Sequence, residues 1–214
     1  DAEYGQAVVD LLGAIAYGEL SAFERLVEDA KLAPSLRDKV AISGMAAAEF
    51  GHLEVLLARL EELGRDPYAT MAPFRRAIDD FHVNTRPSDR WESLVKAYVG
   101  DGLAADFYLE IAAYLDPSTR DLVTASLADT GHSQFVIDRV RQACAADPRL
   151  MGRLALWGRR LMGEALVQGQ RVASERDALS ALLAGGIDRP GLDLAAIGRM
   201  FTRLTERHTE RMTA

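Results

Sequence analysis

The sequence feature that most restricts this chain is an acid-x-x-His motif that occurs twice. The first copy contains Glu49 and His52, the second contains Asp129 and His132, and a glycine precedes the histidine in each. On a helix, residues three apart point toward one face, about one turn apart. The neighbours at helical spacing are mostly apolar, and ionisable groups are costly in an apolar core unless they are paired or bind metal. The repeat therefore predicts metal ligands.

Each motif also has an acidic residue at a matching distance before it. Glu19 precedes Glu49 by 30 residues, and Asp101 precedes Asp129 by 28 residues. The chain thus contains one unit twice, a helix with a buried acid followed by a helix with acid-x-x-His. In four-helix bundles, two Glu residues and two Glu-x-x-His pairs form di-iron sites. We therefore expect two iron ions, or manganese, bound by Glu19, Glu49, His52, Asp101, Asp129 and His132.

Two other acids on the helix of Asp101 are alternatives to it as a ligand. Asp106 and Glu110 are neighbours of each other at helical spacing and lie on mixed faces, whereas Asp101 has no second charge around it. The alternative for the whole motif is a structural role on a solvated helix face. Glycine inside a helix costs ~1 kcal/mol relative to alanine, so Gly51 and Gly131 favour the metal site.

Composition and proline positions predict the fold class. Alanine and leucine are abundant and proline is confined to junctions, which indicates an all-α protein. We expect a single domain over 1–214, with a core four-helix bundle over 5–145 and a C-terminal helical addition over 147–212. The predicted helices cover 5–30, 35–63, 88–116, 117–146, 147–183 and 191–212.

The segment between the second and third predicted helices is long. Residues 65–90 contain Pro67, Pro73 and Pro87, with a short helix expected near 74–81. A connection of this length is uncommon in a compact domain unless it has a purpose. One purpose is the long crossover that some four-helix bundles have between these two helices.

Charge and hydropathy bear on location and partners. The formal net charge of −7 gives no overall attraction to nucleic acid. The single cysteine, Cys144, excludes an internal disulfide and fits the cytoplasm. No signal peptide is visible and no apolar run approaches the roughly 20 residues of a membrane span, so no membrane partner is expected.

Arginines recur every four residues on the last predicted helix. Glu206 and Glu210 beside them indicate a solvated face with ion pairs. The alternative is a phosphate-binding stripe, in which RNA contacts come from Arg199, Arg203 and Arg207.

Two tyrosines and two histidines complete the set of candidate residues. Tyr98 and Tyr108 share the helical face of Asp101. They are either core aromatics or hydrogen-bond partners of the metal ligands. His82 and His208 lie outside both motifs, and we expect them at the surface or in loops.

Taken together, these residues resemble the ferritin-like superfamily. The order is Glu19, then Glu49 and His52, a proline-rich crossover, and finally a second acid with acid-x-x-His. Within that superfamily the chain is similar to the tRNA isopentenyl-adenosine hydroxylase family. The similarity covers residues 8–145 and includes the stretches 18–24 and 52–56, followed by Gly64 and Arg65.

The resemblance implies a non-haem di-iron oxygenase that hydroxylates the isopentenyl group of a modified adenosine in tRNA. Its expected partners are tRNA, O₂ and an electron-donating reductase, and a homodimer is one expected assembly. It assigns the ligand roles to the six residues named above and no catalytic residue beyond them. The family normally has Glu where this chain has Asp101 and Asp129. Because Asp is one methylene shorter, we expect the second metal to be held more weakly.

Two other functions remain open from the sequence. A ferritin-like protein of this kind can bind or oxidise iron without an organic substrate. It can also be an inactive helical bundle that serves as an interaction module. Storage requires a cage assembly, whereas a hydroxylase requires a pocket beside the metals and a surface for RNA.

Overall fold

The protein is built from helices throughout the part of the chain that is described. The structure is a computed structural model, and it describes residues 2–127, 132–184 and 194–213. Every regular element within these ranges is helical, which confirms the predicted all-α class. The helices are α1 (Ala2–Lys31), α2 (Leu36–Glu62), α3 (Pro67–Met71), α4 (Arg75–Asn84), α5 (Arg90–Ala112), α6 (Pro117–Ser126), α7 (His132–Ala146), α8 (Pro148–Glu175), α9 (Asp177–Ala184) and α10 (Leu194–Thr213).

Helix ends lie where capping residues stand in the sequence. Asp89 precedes α5 and accepts hydrogen bonds from the backbone N–H groups of Trp91 and Glu92, at 2.9 and 3.0 Å. The Glu92 carboxylate in turn accepts from the backbone N–H of Ser88 at 2.7 Å, one residue before the N-cap, so the predicted capping box forms in a shifted variant. At the end of α2, Gly64 has φ 68°, a left-handed conformation that favours glycine.

The predicted crossover between the second and third bundle helices is confirmed. It contains α3, a 3₁₀ turn over Ala72–Phe74, and α4. Phe74 is almost fully buried in the core that α1 and α2 form, so the crossover is packed rather than loose. The crossover is tied to α1 a second time by Tyr17, whose hydroxyl donates to Asp79 at 2.8 Å.

The helices pack around two main contacts. The most extensive lies between α1 and α2, and a second core joins α5, α8 and α10. A smaller cluster links α1 and α2 to α7 through residues that include Leu26, Ile42 and Val136. Three clusters of buried residues therefore fix the positions of α1, α2 and α5, which border a common space.

Two predicted helices are each divided in the structure. The helix predicted over 117–146 forms α6 and α7, and the helix predicted over 147–183 divides at Arg176. Arg176 leaves helical geometry at the end of α8, and its Nε donates to the buried Asp10 of α1 at 3.0 Å. This pair joins distant parts of the chain, so local helical periodicity does not predict the break.

Within the described ranges, one helix meets the length and composition of a membrane span. It is α2, with a mean hydropathy of 1.4 in its most apolar window, of which 28% is buried in the structure. Packed helices of soluble proteins meet the same criterion, so the helix alone is weak support for a membrane location.

Candidate metal centre

Three of the predicted ligands come together in the structure. Glu19 of α1 meets Glu49 and His52 of α2, and one ligand atom from each lies within 4.8 Å of the others. The Nδ1 atom of His52 is 3.6 Å from Oε2 of Glu19. The group is the metal-ligand arrangement that the sequence predicts for the first half of the chain.

The packing of α1 on α2 explains how this group forms. On α2, Met45, Glu49, His52 and Leu56 follow one another at helical spacing, and Met45 and Leu56 are buried. On α1, Glu19 stands between the buried Ile15 and Leu26. Burial of the flanking apolar side chains therefore orients the acids and the imidazole toward each other.

Burial strongly disfavours two negative charges in this group. The pKa of Glu49 is raised to about 9. Burial is the largest cause, and the hydrogen bond to Glu19 and the charge of Glu19 add to it. Burial also raises the pKa of Glu19 to about 7, with a smaller upward contribution from the charge of Asp101. In the metal-free protein, a proton therefore resides on Glu49 at neutral pH.

The donor set fits a divalent cation. Oε2 of Glu19 is buried and has no hydrogen-bond partner, and an unsatisfied buried acceptor is costly. Two carboxylates and one imidazole are ligand types that suit iron or manganese. A cation between them would displace the proton on Glu49 and give the Glu19 oxygen a partner.

A large cavity opens beside this group. Its volume is ≈ 1690 Å³, and Glu19, Glu49 and His52 are part of its wall. Most of the remaining wall is apolar and comes from α1, α4, α5 and α8, including Ile78, Phe107 and Leu166. Ligand pockets of proteins are commonly ≈ 300–1,000 Å³, so the space is sufficient for an organic molecule next to the acids.

The candidate tyrosines also face this cavity. Tyr98 and Tyr108 both line it. Burial, followed by the charge of Glu19, raises the pKa of Tyr108 above its usual range, so this hydroxyl stays protonated close to the metal-ligand group. The structure thus puts Tyr108 next to a predicted ligand, where an uncharged donor can bind a carboxylate or a substrate.

Asp101 differs from its predicted environment. The sequence places it on a buried face, yet it is exposed. It nevertheless lines the same cavity, and its charge acts on Glu19. Among the described residues it does not join the 4.8 Å group. The exposure of Asp101 depends on how α5 is oriented against α1, and the sequence pattern of α5 alone does not predict that orientation. The role of Asp101 as a ligand stays a prediction.

The other two predicted ligands of the second half cannot be placed. Asp129 lies outside the described residues, and so does the side chain of His132, whose backbone begins α7. The α7 helix contacts α2 and α5, so its first residue belongs to a helix that borders the same space. The second metal site stays a prediction.

The arginines of α10 are engaged in ion pairs with α5. Nη2 of Arg203 donates to Oε2 of Glu110 at 2.6 Å, and Nη2 of Arg207 donates to Oε1 of the same carboxylate at 2.8 Å. Arg211 donates to Asp106 at 2.7 Å. The predicted face with ion pairs is present, but its acids are on α5 rather than at positions 206 and 210. Arg199 is exposed.

Two histidines differ from the expected surface or loop positions, since His208 is buried and His82 is partly buried. His208 on α10 is only 5% exposed, and it follows Phe201 and Leu204 on the same apolar stripe. His82 on α4 lines the large cavity, and its Nδ1 is buried without a hydrogen-bond partner. The apolar stripe on α10 is a sequence pattern that could predict the burial of His208. The position of His82 depends instead on the packing of the crossover.

Comparison with known proteins places the fold in a family. A sequence model of the family described as "Ferritin-like domain, actinomycetes" matches residues 2–186, which is most of the chain. The chain therefore belongs to this ferritin-like family. A search among curated proteins finds no match. The ferritin-like part of the resemblance is confirmed, and the tRNA hydroxylase part receives no support from these comparisons.

Proposed function

We propose that this ferritin-like protein is a metal-dependent oxidoreductase that acts on an organic molecule in the cavity beside Glu19, Glu49 and His52. The observation that carries the proposal is the position of these three ligands in the wall of a largely apolar space of ≈ 1690 Å³. Simple metal storage does not require such a space. An oxidation catalyst requires it to hold the substrate and exclude water.

Iron is the metal that best fits this function, with manganese as the alternative. When bound, iron supplies the redox chemistry with O₂ that amino-acid side chains lack. The protein residues have separate tasks. Glu19, Glu49 and His52 hold the ion, the apolar wall positions the substrate, and Tyr108 offers a protonated hydroxyl beside Glu19.

A second iron ion is part of the proposal for the whole site. Asp101, Asp129 and His132 would hold it, as the repeated unit in the sequence suggests. The position of Asp101 in the same cavity wall supports this arrangement. O₂ and an electron-donating reductase would then be the partners of a di-iron hydroxylase.

The finer hypothesis is hydroxylation of an isopentenyl group on adenosine in tRNA, in the cytoplasm. The apolar cavity suits a prenyl group. The stripe of arginines on α10 supports it less, because Glu110 and Asp106 already neutralise Arg203, Arg207 and Arg211. RNA phosphates would have to compete with these carboxylates, or bind arginines elsewhere, such as Arg149 and Arg159 on α8.

The experiment that tests the main proposal combines metal analysis with O₂ consumption. Purified protein should contain iron or manganese, and the reduced protein should consume O₂ in proportion to an organic product formed. A protein that oxidises iron alone would consume O₂ with ferrous iron and need no organic substrate. Protein that takes up neither metal would overturn the proposal.

The tRNA hypothesis has its own test. Binding of prenylated tRNA should weaken steeply as salt rises, because neutralised phosphates release counterions. The double variant R203Q/R207Q should bind less tightly and show a smaller salt slope. Absence of tRNA binding at low salt, with normal hydroxylated prenyl-adenosine in deletion cells, would exclude this substrate and leave the metal centre unaffected.

A further inference from the structure

A second group of polar residues lies in the wall of the same large cavity, separate from Glu19 and Glu49. It contains the basic residues Arg25, Lys96 and His82, together with Asp29 and Ser93. None of these residues belongs to the candidate metal centre. They come from three different helices, α1, α4 and α5. They are far apart in the sequence and come together only in the folded protein.

Lys96 is the central residue of this group. It is only 8% exposed, and its Nζ donates to the carbonyl oxygens of Thr85 at 2.9 Å and His82 at 3.5 Å. A lysine ammonium has three donors, so one remains for a further acceptor. Burial, with the charge of Arg25, lowers the pKa of Lys96 to about 8, while the charge of Asp29 opposes this.

His82 adds an unused polar atom. Its Nδ1 is buried without a hydrogen-bond partner, although the ring lines the cavity. Burial, together with the charges of Lys96 and Arg25, lowers the pKa of His82 to about 3, so the ring is neutral at physiological pH. A neutral imidazole with one unpaired nitrogen can donate a hydrogen bond to a bound group.

Two cations and two carboxylates meet at this position, because Arg25 pairs with Glu28 at 3.2 Å and the charge of Asp29 acts on Lys96. Arg25 and Lys96 each lower the pKa of other cations in the group. The nearby carboxyl of Asp29 is partly desolvated, and burial raises its pKa. Of the two cations Lys96 is the buried one, and it has a donor left. An anion that enters from the cavity would therefore bind Lys96 and His82 and would also be attracted by the more exposed Arg25.

The distance between this group and the metal centre sets the size of the ligand. On α1, Arg25 follows Glu19 by six residues, about 9 Å along the helix axis. On α5, Lys96 precedes Asp101 by five residues, about 7.5 Å along the helix. The proximity of Glu19 to Asp101 and of Arg25 to Lys96 shows that the two helices run in opposite directions. The cavity is continuous between the two groups.

We propose that Lys96 and Arg25 bind the single anionic head group of an amphipathic organic substrate, whose apolar body extends along the cavity to Glu19, Glu49 and His52. His82 contributes a neutral hydrogen bond to the same head group. This inference rests on the proposed function, since it names the class of molecule that would be oxidised there. Carboxylates and phosphate monoesters share the required chemistry.

Lys96 also has a structural explanation that the test must separate from ligand binding. Its bonds to the carbonyls of His82 and Thr85 lie at the C-terminal end of α4, where a cation is stabilising. A purely structural Lys96 would affect every ligand of the cavity equally. An anion-binding Lys96 affects charged ligands and spares neutral ligands of the same length.

The experiment measures binding of three probes with the same alkyl chain to the full-length protein by calorimetry. The probes are decanoate, decyl phosphate and neutral decanol. The wild-type protein should bind an anionic probe more tightly than decanol, and the preferred anion identifies carboxylate or phosphate as the head group. Lys96→Met should weaken anion binding by about tenfold or more and leave decanol binding unchanged.

A second variant covers the case in which Lys96→Met does not fold. Arg25→Gln changes a residue whose side chain is 44% exposed and pairs with Glu28 of its own helix at 3.2 Å. It should also weaken decanoate binding selectively. Lys39→Met, on the exposed part of α2, is the matched control and should bind all three probes like the wild type.

The outcomes separate this inference from the proposed function. Equal affinity of the wild type for decanoate and decanol, or equal loss of both in Lys96→Met and Arg25→Gln, would overturn the anion site. Metal content is measured in the same preparations and should be unchanged in both variants. Selective, Lys96-dependent anion binding in a protein that takes up no metal would support the anion site and overturn the oxidoreductase.

Discussion

The Nδ1 atom of His52 lies 3.6 Å from Oε2 of Glu19, across the contact between α2 and α1. The histidine of the acid-x-x-His motif therefore faces the acid of the preceding helix as well as the acid of its own motif. Each half of the repeat contains this pair of helices in sequence, so the first half alone can supply three ligands. The geometry makes the Glu19, Glu49 and His52 group the primary candidate for a metal site.

We expect the double variant E49A/H52A to lose the metal bound at this site. Alanine removes two of three ligands but favours helix, so α2 should still form. Metal analysis should find at least one ion fewer per chain, while circular dichroism should show the wild-type helical content. The matched control is E54A/E61A, which removes two exposed acids of α2 and should keep its metal. Unchanged metal in E49A/H52A would refute the site.

Titration with ferrous iron should show two unequal steps. The first corresponds to Glu19, Glu49 and His52, whose ligand atoms are already within 4.8 Å of each other. The second requires Asp101, which is exposed and whose shorter side chain must reach further. Asp101→Asn should weaken the second step by about tenfold and spare the first. Two equal steps in the wild type, or loss of the first step in Asp101→Asn, would contradict this assignment.

The metal-free protein should become less stable as pH rises above the usual range of glutamate. The pKa of Glu49 rises from 4.5 to about 9 on folding, so the folded state binds more protons than the unfolded state between these values. Stability contributed by Glu49 is therefore complete below about pH 4.5 and is lost as pH rises toward 9. Thermal unfolding in chelator from pH 5 to 9 measures this loss.

A glutamine variant provides the control for that pH dependence. Glu49→Gln keeps the shape of the side chain and cannot ionise, so its stability should fall less from pH 5 to 9. Added ferrous iron should raise the melting temperature of the wild type most at the alkaline end, because metal replaces the proton. A wild-type protein whose metal-free stability rises over this range would contradict the buried acid pair.

The sequence predicts the Glu49 and His52 part of the candidate metal site because the information for this pair is local. Glu49 and His52 are three residues apart on a helix, and apolar residues at helical spacing determine which face they share. The capping residue Asp89 and the left-handed Gly64 likewise act on adjacent residues, and both lie at helix ends in the structure.

Features that depend on contacts between distant helices are not predicted in the same way. The exposure of Asp101 depends on how α5 lies against α1 and α2. The position of His82 in the cavity wall depends on the path of the crossover, and the break at Arg176 depends on a partner on α1. The sequence does not predict the proposed anion-binding group either, because its residues come from three helices and share no regular spacing.

The carboxylate of Glu110 should stabilise the contact of α10 with α5. It accepts hydrogen bonds from Arg203 and Arg207, and both guanidinium groups lower its pKa. Glu110→Gln should lower the melting temperature by about 2–4 °C at low salt, and by less at high salt. The matched control, Glu210→Gln, changes an exposed acid of α10 and should have little effect. Equal stability of Glu110→Gln and wild type at low salt would show that these pairs contribute nothing.

Decanoate binding should weaken as pH rises through the pKa of Lys96. Burial lowers that pKa to about 8, and the charges that act on Lys96 are those of Arg25 and Asp29 on α1. His82 on α4 is neutral throughout this range, since its pKa is lowered to about 3. The ammonium is present below pH 8, so affinity should be constant from pH 6 to 7.5 and then fall by up to about tenfold per pH unit. Lys96→Arg keeps its charge and should abolish the decline, while decanol binding should not change with pH. A decline of the same size in Lys96→Arg would assign the titration to another group.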